Sequence, residues 1–188
     1  MRIISGLFKG KKILEPKDYQ TRPLKDLTKE SIFNILNHSN KFQVFIKDAI
    51  ILDLFSGVGS FGMECLSREA KKVVFVENYV GVLPILKKNL YSLKLKEKYQ
   101  IIEKNIYDDK TLSQFQNKFD IIFLDPPYKD NNFNKILIKI TDKNLLKKNG
   151  IIIIHRQKKE KNNFMENYKI IDEKKYGISK IIFLTLLN

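Results

Sequence analysis

The stretch LDLFSGVGSFG, residues 52–62, decides the fold, because a buried apolar run passes there directly into a glycine-rich loop. The run AIILDLF (49–55) predicts a strand, and residues 60–69 predict the helix that follows the loop. Gly57, Gly59 and Gly62 fit the spacing GxGxxG, which lets a backbone approach a ligand closely. This order indicates the first βα unit of an α/β sheet that binds a ligand at the carboxyl ends of its strands.

Further short runs rich in β-branched residues alternate with helix-like segments along the chain. The runs are KVVFVE (72–77), YQIIEK (99–104), FDIIFLD (119–125) and GIIIIH (150–155), and the helical segments are 79–94, 109–117 and 132–147. Near-continuous apolarity predicts strands buried on both faces, as in a parallel sheet. YKIIDEKKYG and SKIIFLTLL predict a closing hairpin. We therefore predict a Rossmann-like α/β fold with a seven-stranded, mostly parallel sheet and an antiparallel C-terminal hairpin strand.

The composition favours one folded domain over residues 1–188 and a polyanionic partner. Hydrophobic residues make up 43% of the chain, and its net charge is +14. A cationic protein is drawn to nucleic acid, although a lysine-coated soluble surface is the alternative. No apolar run approaches the roughly 20 residues of a membrane span, and a secretory signal is lacking, so we expect a cytoplasmic protein. We expect the single cysteine, Cys65, to be buried and inert, and we expect no metal site.

Residues 1–40 form a basic lead-in to the predicted sheet. SGLFKGKK reads as a hairpin or an extended arm. Apolar residues at Leu27, Ile32, Ile35 and Leu36 predict a helix over 26–36. We expect Asp26 or Thr28 to cap it.

Polar side chains end the first three predicted strands and would meet at one edge of the sheet. Asp53 lies near the end of the first strand, where a carboxylate repels a pyrophosphate but attracts an ammonium or sulfonium group. Glu77 follows Gly57 by twenty residues and can accept both hydroxyls of a ribose. Asn105 is the candidate for the adenine edge, in competition with Asp108 and Asp109. S-adenosylmethionine, a ribose-bearing cofactor with a cationic amino-acid end, fits both acids; a nicotinamide dinucleotide is the alternative.

The stretch FLDPPYKD, residues 123–130, places an acid, two prolines and an aromatic at the end of the fourth strand. Asp125 and the carbonyl of Pro126 can accept hydrogen bonds from an exocyclic amino group of a nucleobase. Pro126 and Pro127 stiffen that backbone, and Tyr128 offers a stacking face worth about 1–3 kcal/mol. A simple turn after a buried strand would explain the prolines alone. A carboxylate matches the two donors of guanine better than the donor and acceptor of adenine, which modestly favours guanine.

The chain resembles the bacterial RsmD family, which methylates the N2 amino group of one guanine in 16S ribosomal RNA with S-adenosylmethionine. RIISGLFKGKKI, TRPLKDLTKESIFNIL, LDLFSGVGSFGMECLSREA, FVE and FLDPPY carry the resemblance. It implies a class I methyltransferase fold, action as a monomer, and a small ribosomal subunit as the substrate particle. The cofactor-binding positions it implies are Asp53, Phe55, Ser56, Gly57, Gly59, Glu77 and Asn105. The catalytic positions it implies are Asp125, Pro126, Pro127 and Tyr128.

The resemblance also implies that the basic N-terminal segment, which we call the basic arm, contacts RNA. It further implies that Arg22 and Pro23 border the active site. The cations expected to follow phosphates are Lys9, Lys11, Lys12, Arg22, Lys25 and Lys29, with Gly6 in the same arm. Three residues depart from the family pattern. Lys29 stands where arginine is common and Asn78 where aspartate is frequent. Glu69 replaces a usual glycine, so the helix before it should end differently.

Two other readings remain open on sequence alone. One is an adenine-N6 methylase acting on DNA or RNA. The other is a non-catalytic RNA-binding protein that keeps the fold.

Overall fold

The computed structural model describes residues 1–16, 24–116, 118–127, 130, 132–161 and 164–187. Within them lie five α-helices and seven strands. The helices are α1 (Asp26–His38), α2 (Ser60–Ser67), α3 (Leu83–Tyr91), α4 (Asp109–Ser113) and α5 (Phe133–Asp142). The strands are β1 (Ile50–Leu54), β2 (Lys72–Val76), β3 (Tyr99–Ile102), β4 (Phe119–Leu124), β5 (Leu146–Gln157), β6 (Tyr168–Tyr176) and β7 (Ser179–Leu186). A 3-10 turn, Lys96–Lys98, precedes β3.

All seven strands form one sheet in the order β3-β2-β1-β4-β5-β7-β6. The first five are parallel, whereas β7 pairs antiparallel with both β5 and β6. The predicted sheet and closing hairpin are therefore confirmed. The strand order reverses between β1 and β4, which are neighbours in the sheet. In α/β sheets, ligands bind beyond the carboxyl ends of the two strands at such a point, so we expect the ligand-binding crevice there. We call this side of the sheet the carboxyl edge.

The central strands are buried on both faces, as their uninterrupted apolar runs predict. Alternate residues belong to two different cores: Ile51, Val73, Phe75, Ile121 and Phe123 face the core under α1 to α3, whereas Leu52, Leu54, Val74, Ile122 and Leu124 face the core under α4 and α5. Successive side chains of a strand point to opposite faces of the sheet. Asp53 follows Ile51 by two residues, so its side chain lies on the same face and points towards α2.

Helix α2 packs closely on β2 because Gly62 has no side chain. A Cβ atom at Gly62 would lie 2.2 Å from the Phe75 ring. Cys65, on the same helix, is buried, and burial raises the pKa of its thiol, as expected for an inert cysteine.

Helix α2 ends in the way that is usual when glycine follows the helix. The expectation that Glu69, in place of this glycine, would make the helix end differently is therefore wrong. Glu69 adopts a left-handed φ of 67°, the amide of Ala70 donates to the carbonyl of Cys65, and the amide of Glu69 donates to that of Leu66. This hydrogen-bond pair is a Schellman ending, which normally uses glycine. These backbone hydrogen bonds, together with that from the amide of Asp48 to the carbonyl of Glu69, therefore hold an exposed residue in a left-handed conformation that it disfavours.

Helix α1 is longer than predicted, and its capping differs. Lys25 occupies the N-cap position without a side-chain hydrogen bond, so neither Asp26 nor Thr28 caps the helix. Leu27 is 79% exposed, and the buried apolar face consists of Ile32, Phe33 and Leu36. In the described part of the chain, no helix is long and apolar enough to span a bilayer.

Candidate active site

The glycine loop after β1 is held by a hydrogen bond to the neighbouring strand β2 and by another within the loop itself. The amide of Ser56 donates to the carbonyl of Val76, and the amide of Gly59 donates to that of Ser56. Phe55 has a left-handed φ of 58°, unusual for an aromatic residue. Such backbone strain is typical of ligand-binding sites. Phe55, Ser56, Gly57 and Gly59 thus lie together at the carboxyl edge, where the sequence predicts the cofactor.

Glu77 ties the glycine loop to the loop after β2. Its Oε2 accepts from the amide of Gly57 at 2.8 Å, and its Oε1 accepts from the amides of Asn78 and Tyr79, both at 2.8 Å. The departure at Asn78 leaves this arrangement intact, because only the backbone of Asn78 takes part. A carboxylate has about four lone-pair sites, so one remains for a ribose hydroxyl.

Asp53 is 1% exposed and only half satisfied. Its Oδ2 accepts from the amide of Gly62 at 3.0 Å, whereas its Oδ1 is buried without a hydrogen-bond partner among the described residues. Burial raises the pKa of Asp53 well above its usual value, and the charges of Asp125 and Glu77 raise it further. Three carboxylates therefore converge on this edge, and a cation bound there would stabilise all of them.

The adenine-side prediction at Asn105 needs refinement. The Oδ1 of Asn105 accepts from the amide of Tyr107 at 2.9 Å, so this exposed side chain shapes its own loop. Asp108 caps α4 and Asp109 pairs with Lys139, so neither competitor faces the site. The Tyr107 ring lies 6.1 Å from that of Phe55, which makes these two aromatics the flat surfaces beside the loop.

Asp125 lies at the end of β4 and contacts a residue that sequence reasoning missed. Its Oδ1 is 2.8 Å from Nδ1 of His155, near the end of β5, and its amide lies 3.4 Å from the carbonyl of Leu54. The signal was available: His155 closes the apolar run of the strand that adjoins β4 in a parallel sheet. Pro126 is buried and Pro127 exposed, and the carbonyl of Pro127 accepts from the amide of Asp130. Tyr128, Arg22 and Pro23 lie outside the described residues.

A second contact holds the loop that follows Asp125. The hydroxyl of Tyr107 donates to Oδ2 of Asp130. Burial, together with the Asp130 carboxylate, raises the pKa of Tyr107 above its usual value. The segment beside the predicted adenine position is thereby joined to the segment beside the predicted methylation position.

The basic arm forms the expected hairpin, which runs along α2. Arg2 pairs with Lys12 in a β-bridge, and the amide of Leu7 donates to the carbonyl of Ser67, the last residue of α2. Lys9 and Lys12 are exposed and Lys11 is partly exposed. The turn that carries Lys9 therefore lies at the end of α2 remote from Asp125. Lys25 is exposed beside α1.

The structure contradicts the predicted phosphate contact of Lys29, which is completely buried. Its Nζ donates to the carbonyl of Arg2 at 2.6 Å and to Oγ of Ser60 at 3.1 Å, and it lies 3.9 Å from Oε2 of Glu64. Burial lowers the pKa of Lys29, an effect that the charges of Glu64 and Asp26 oppose. Lys29 thus fastens the arm to the start of α2 and is removed from the RNA-contacting set.

Comparison with known proteins places these features in a family. The model of the family described as Conserved hypothetical protein 95 matches residues 1–185. Ribosomal RNA small subunit methyltransferase D of Haemophilus influenzae is 37% identical over 179 residues, covering 95% of this chain and 90% of its own. These matches confirm the resemblance to the RsmD family.

Two solved structures share the fold over nearly their whole length. A candidate methyltransferase of Escherichia coli, yhhF, has a TM-score of 0.82 and 26% identity, covering 98% of this chain and 96% of its own. A candidate methylase of Haemophilus influenzae, HI0767, has a TM-score of 0.78 and 34% identity, covering 100% and 98%.

Proposed function

The chain belongs to the family described as Conserved hypothetical protein 95, and from this premise we propose that it methylates the N2 amino group of a guanine in 16S ribosomal RNA. S-adenosylmethionine is the methyl donor. The observation that carries the proposal is Asp125, held by His155 at the edge where the half-satisfied Asp53 and the loop-binding Glu77 also lie. The substrate particle is a small ribosomal subunit, complete or partly assembled, and the enzyme acts on it as a cytoplasmic monomer.

The residues present fit that donor. The buried Oδ1 of Asp53 has no hydrogen-bond partner in the described residues, and it raises the negative potential that favours a sulfonium and an ammonium group. In this proposal Glu77 accepts a hydrogen bond from a ribose hydroxyl, and the neighbouring rings of Phe55 and Tyr107 contact the adenine. When bound, the donor supplies a methyl group on a positively charged sulfur, which leaves as a neutral thioether.

Asp125 orients and activates the amino group of the base. Its carboxylate accepts hydrogen bonds from the N–H groups of guanine, which draws the nitrogen lone pair out of conjugation with the ring. So oriented, the nitrogen would accept the methyl group in place of the sulfur, and its proton would leave to Asp125 or to water. His155 acts as a positioning residue, because its Nδ1 holds one carboxylate oxygen while the remaining lone pairs face the base.

The basic arm contributes phosphate contacts through Lys11, Lys12 and Lys25, and also through Arg22, which the family resemblance assigns to the border of the site. Lys9 adds a contact only with RNA that extends past the far end of α2. These contacts fix the position of the RNA without reading its sequence.

Replacement of Asp125 tests the proposal. Asp125→Ala should lower kcat by roughly a hundredfold or more, because it removes the acceptor that acts on the reacting nitrogen. Cofactor affinity, measured by calorimetry, should change little. Asp142→Ala, which removes an exposed carboxylate at the end of α5, is the matched control and should retain full activity. A near-normal rate for Asp125→Ala would rule out this site.

A further inference from the structure

A lysine-rich loop that the sequence analysis did not single out also borders the candidate active site. Strand β5 runs parallel to β4 and ends at Gln157, two residues after His155. At about 3.3 Å per residue, the loop therefore begins within about 7 Å of the residue that contacts Asp125. The β6–β7 turn reaches the same edge, because Gln157 pairs with Ser179.

Buried cations and backbone hydrogen bonds fix this loop in place. The amide of Lys158 donates to the carbonyl of Ile178 at 2.8 Å, and the ammonium of Lys180, 4% exposed, donates to the carbonyl of Glu160. Burial lowers the pKa of Lys180. Arg156 is equally buried and lies 3.7 Å from the carboxylate of Glu160. The one acidic residue among positions 158–161 is therefore engaged inward, and the loop is pre-ordered.

The lysines of the loop point outward and carry uncompensated charge. Lys158, Lys159 and Lys161, which we call the basic rim, are all exposed. Throughout the described ranges, no carboxylate lies within 4.0 Å of their ammonium groups. The lysines of the adjacent hairpin differ, because Lys174 and Lys175 pair with Asp172 and Glu173.

We propose that the basic rim binds phosphates of the substrate RNA that flank the methylated base. This inference rests on the proposed function and extends it to a second RNA-binding surface. The arm lies along α2, on the side of the edge formed by β1, whereas the rim lies beyond β5 on the other side of Asp125. RNA that delivers a base to Asp125 is thus held from both sides. Lysine suits the task, because a flexible point charge follows phosphates without reading sequence.

Replacement of the three rim lysines tests the proposal, and replacement of three exposed lysines elsewhere in the chain is the matched control. The rim variant carries Lys158→Gln, Lys159→Gln and Lys161→Gln. The control carries Lys94→Gln, Lys96→Gln and Lys98→Gln, three exposed lysines before β3 at the opposite edge of the sheet. Both variants lose the same charge. Methylation kinetics on small subunits that lack the modification, and equilibrium binding to a 16S ribosomal RNA fragment, are measured across a salt series.

The rim variant should raise KM and the RNA dissociation constant roughly tenfold or more, and should reduce the slope of log affinity against log salt by about 2 to 3. Its kcat at saturating substrate and its cofactor affinity should stay close to those of the unmodified protein. If the rim variant and the control variant showed the same KM, RNA dissociation constant and salt dependence, the proposal that the basic rim binds RNA would be overturned. If the unmodified protein methylates no RNA, the proposed function fails. The RNA-binding measurement then still shows whether the basic rim binds RNA.

Discussion

Two buried carboxylates on adjacent elements, Glu64 of α2 and Asp53 of β1, have opposite surroundings. Glu64 is completely buried and accepts from the amides of Ile4 and Ser5 and from Nε of Arg68, with Lys29 at 3.9 Å. Asp53 is buried as deeply but accepts one hydrogen bond and has no cation beside it in the described residues.

From this difference we infer that Glu64 has a structural role, and we propose that Asp53 has a functional one. The chain supplies every partner of Glu64, which joins the arm to α2 and needs nothing from outside. One oxygen of Asp53 has no partner in the described residues, and we propose that it faces the bound cofactor. Asp125 is intermediate, since it has one side-chain partner and remains 19% exposed. The proposal therefore distinguishes these acids by how many of their hydrogen-bond partners the chain supplies, and not by burial alone.

The largest expected effect is on stability, at Glu64. Glu64→Ala should lower the free energy of unfolding by about 3–5 kcal/mol, because the amides of Ile4 and Ser5 lose their acceptor and the buried Lys29 ammonium keeps, among the described residues, only the partly exposed carboxylate of Asp26 beside it. Urea denaturation measures the change, and Glu64→Gln provides a milder variant if the alanine protein fails to fold. Glu103→Ala, which breaks an exposed pair with Lys87, is the control and should lose less than about 1 kcal/mol. Equal losses at Glu64 and Glu103 would break the comparison.

The next largest effect is on catalysis and concerns Asp125, whose position His155 holds. His155→Leu should lower kcat roughly ten- to hundredfold, because a small displacement of Asp125 misaligns the reacting nitrogen. KM for RNA and the cofactor dissociation constant should change little. His155→Asn keeps a donor near the position of Nδ1 and should recover part of the rate. Equal rates for the two variants, or a parallel loss of cofactor binding, would show that His155 only supports the fold.

The smallest effect, of opposite sign to that at Glu64, is expected at Asp53. Asp53→Asn should raise the free energy of unfolding at pH 7 by about 1–2 kcal/mol, because it removes an uncompensated buried charge. It should also weaken cofactor binding about tenfold, equivalent to about 1.4 kcal/mol. Thermal unfolding and calorimetry measure the two changes. Asp48→Asn, on an exposed residue before β1, is the control and should change neither quantity.

The same acid gives stability a defined pH dependence. The pKa of Asp53 is raised in the folded protein, so the native state holds this proton more tightly than the unfolded chain. Its contribution is fully present below the unfolded pKa of about 3.9 and is lost as pH rises through the higher native value. Asp53→Asn should flatten that part of the stability profile. A wild-type profile that rises over this range, with no change in the variant, would contradict the assignment.

Sequence reasoning located the sheet and the acids at its edge because both follow from local patterns. Apolar runs gave the strands, and parallel order brought Asp53, Glu77 and Asp125 to one side. Lys29 was misjudged because its burial depends on Glu64, thirty-five residues further along the chain, and on the carbonyl of Arg2. Glu69 was misjudged because the backbone hydrogen bonds at the end of α2, one of them from Asp48, override the intrinsic preference of glutamate. Tyr107 was missed because its role depends on Asp130, in a different loop.

The most direct test of the central claim identifies the methylated atom. The protein is given S-adenosylmethionine with a labelled methyl group and small ribosomal subunits that lack the modification, beside naked 16S ribosomal RNA and DNA. The products are then digested to nucleosides. The account predicts label in N2-methylguanosine from the RNA, absent with Asp125→Ala. Label in N6-methyladenosine, or no label while the cofactor binds, would contradict it.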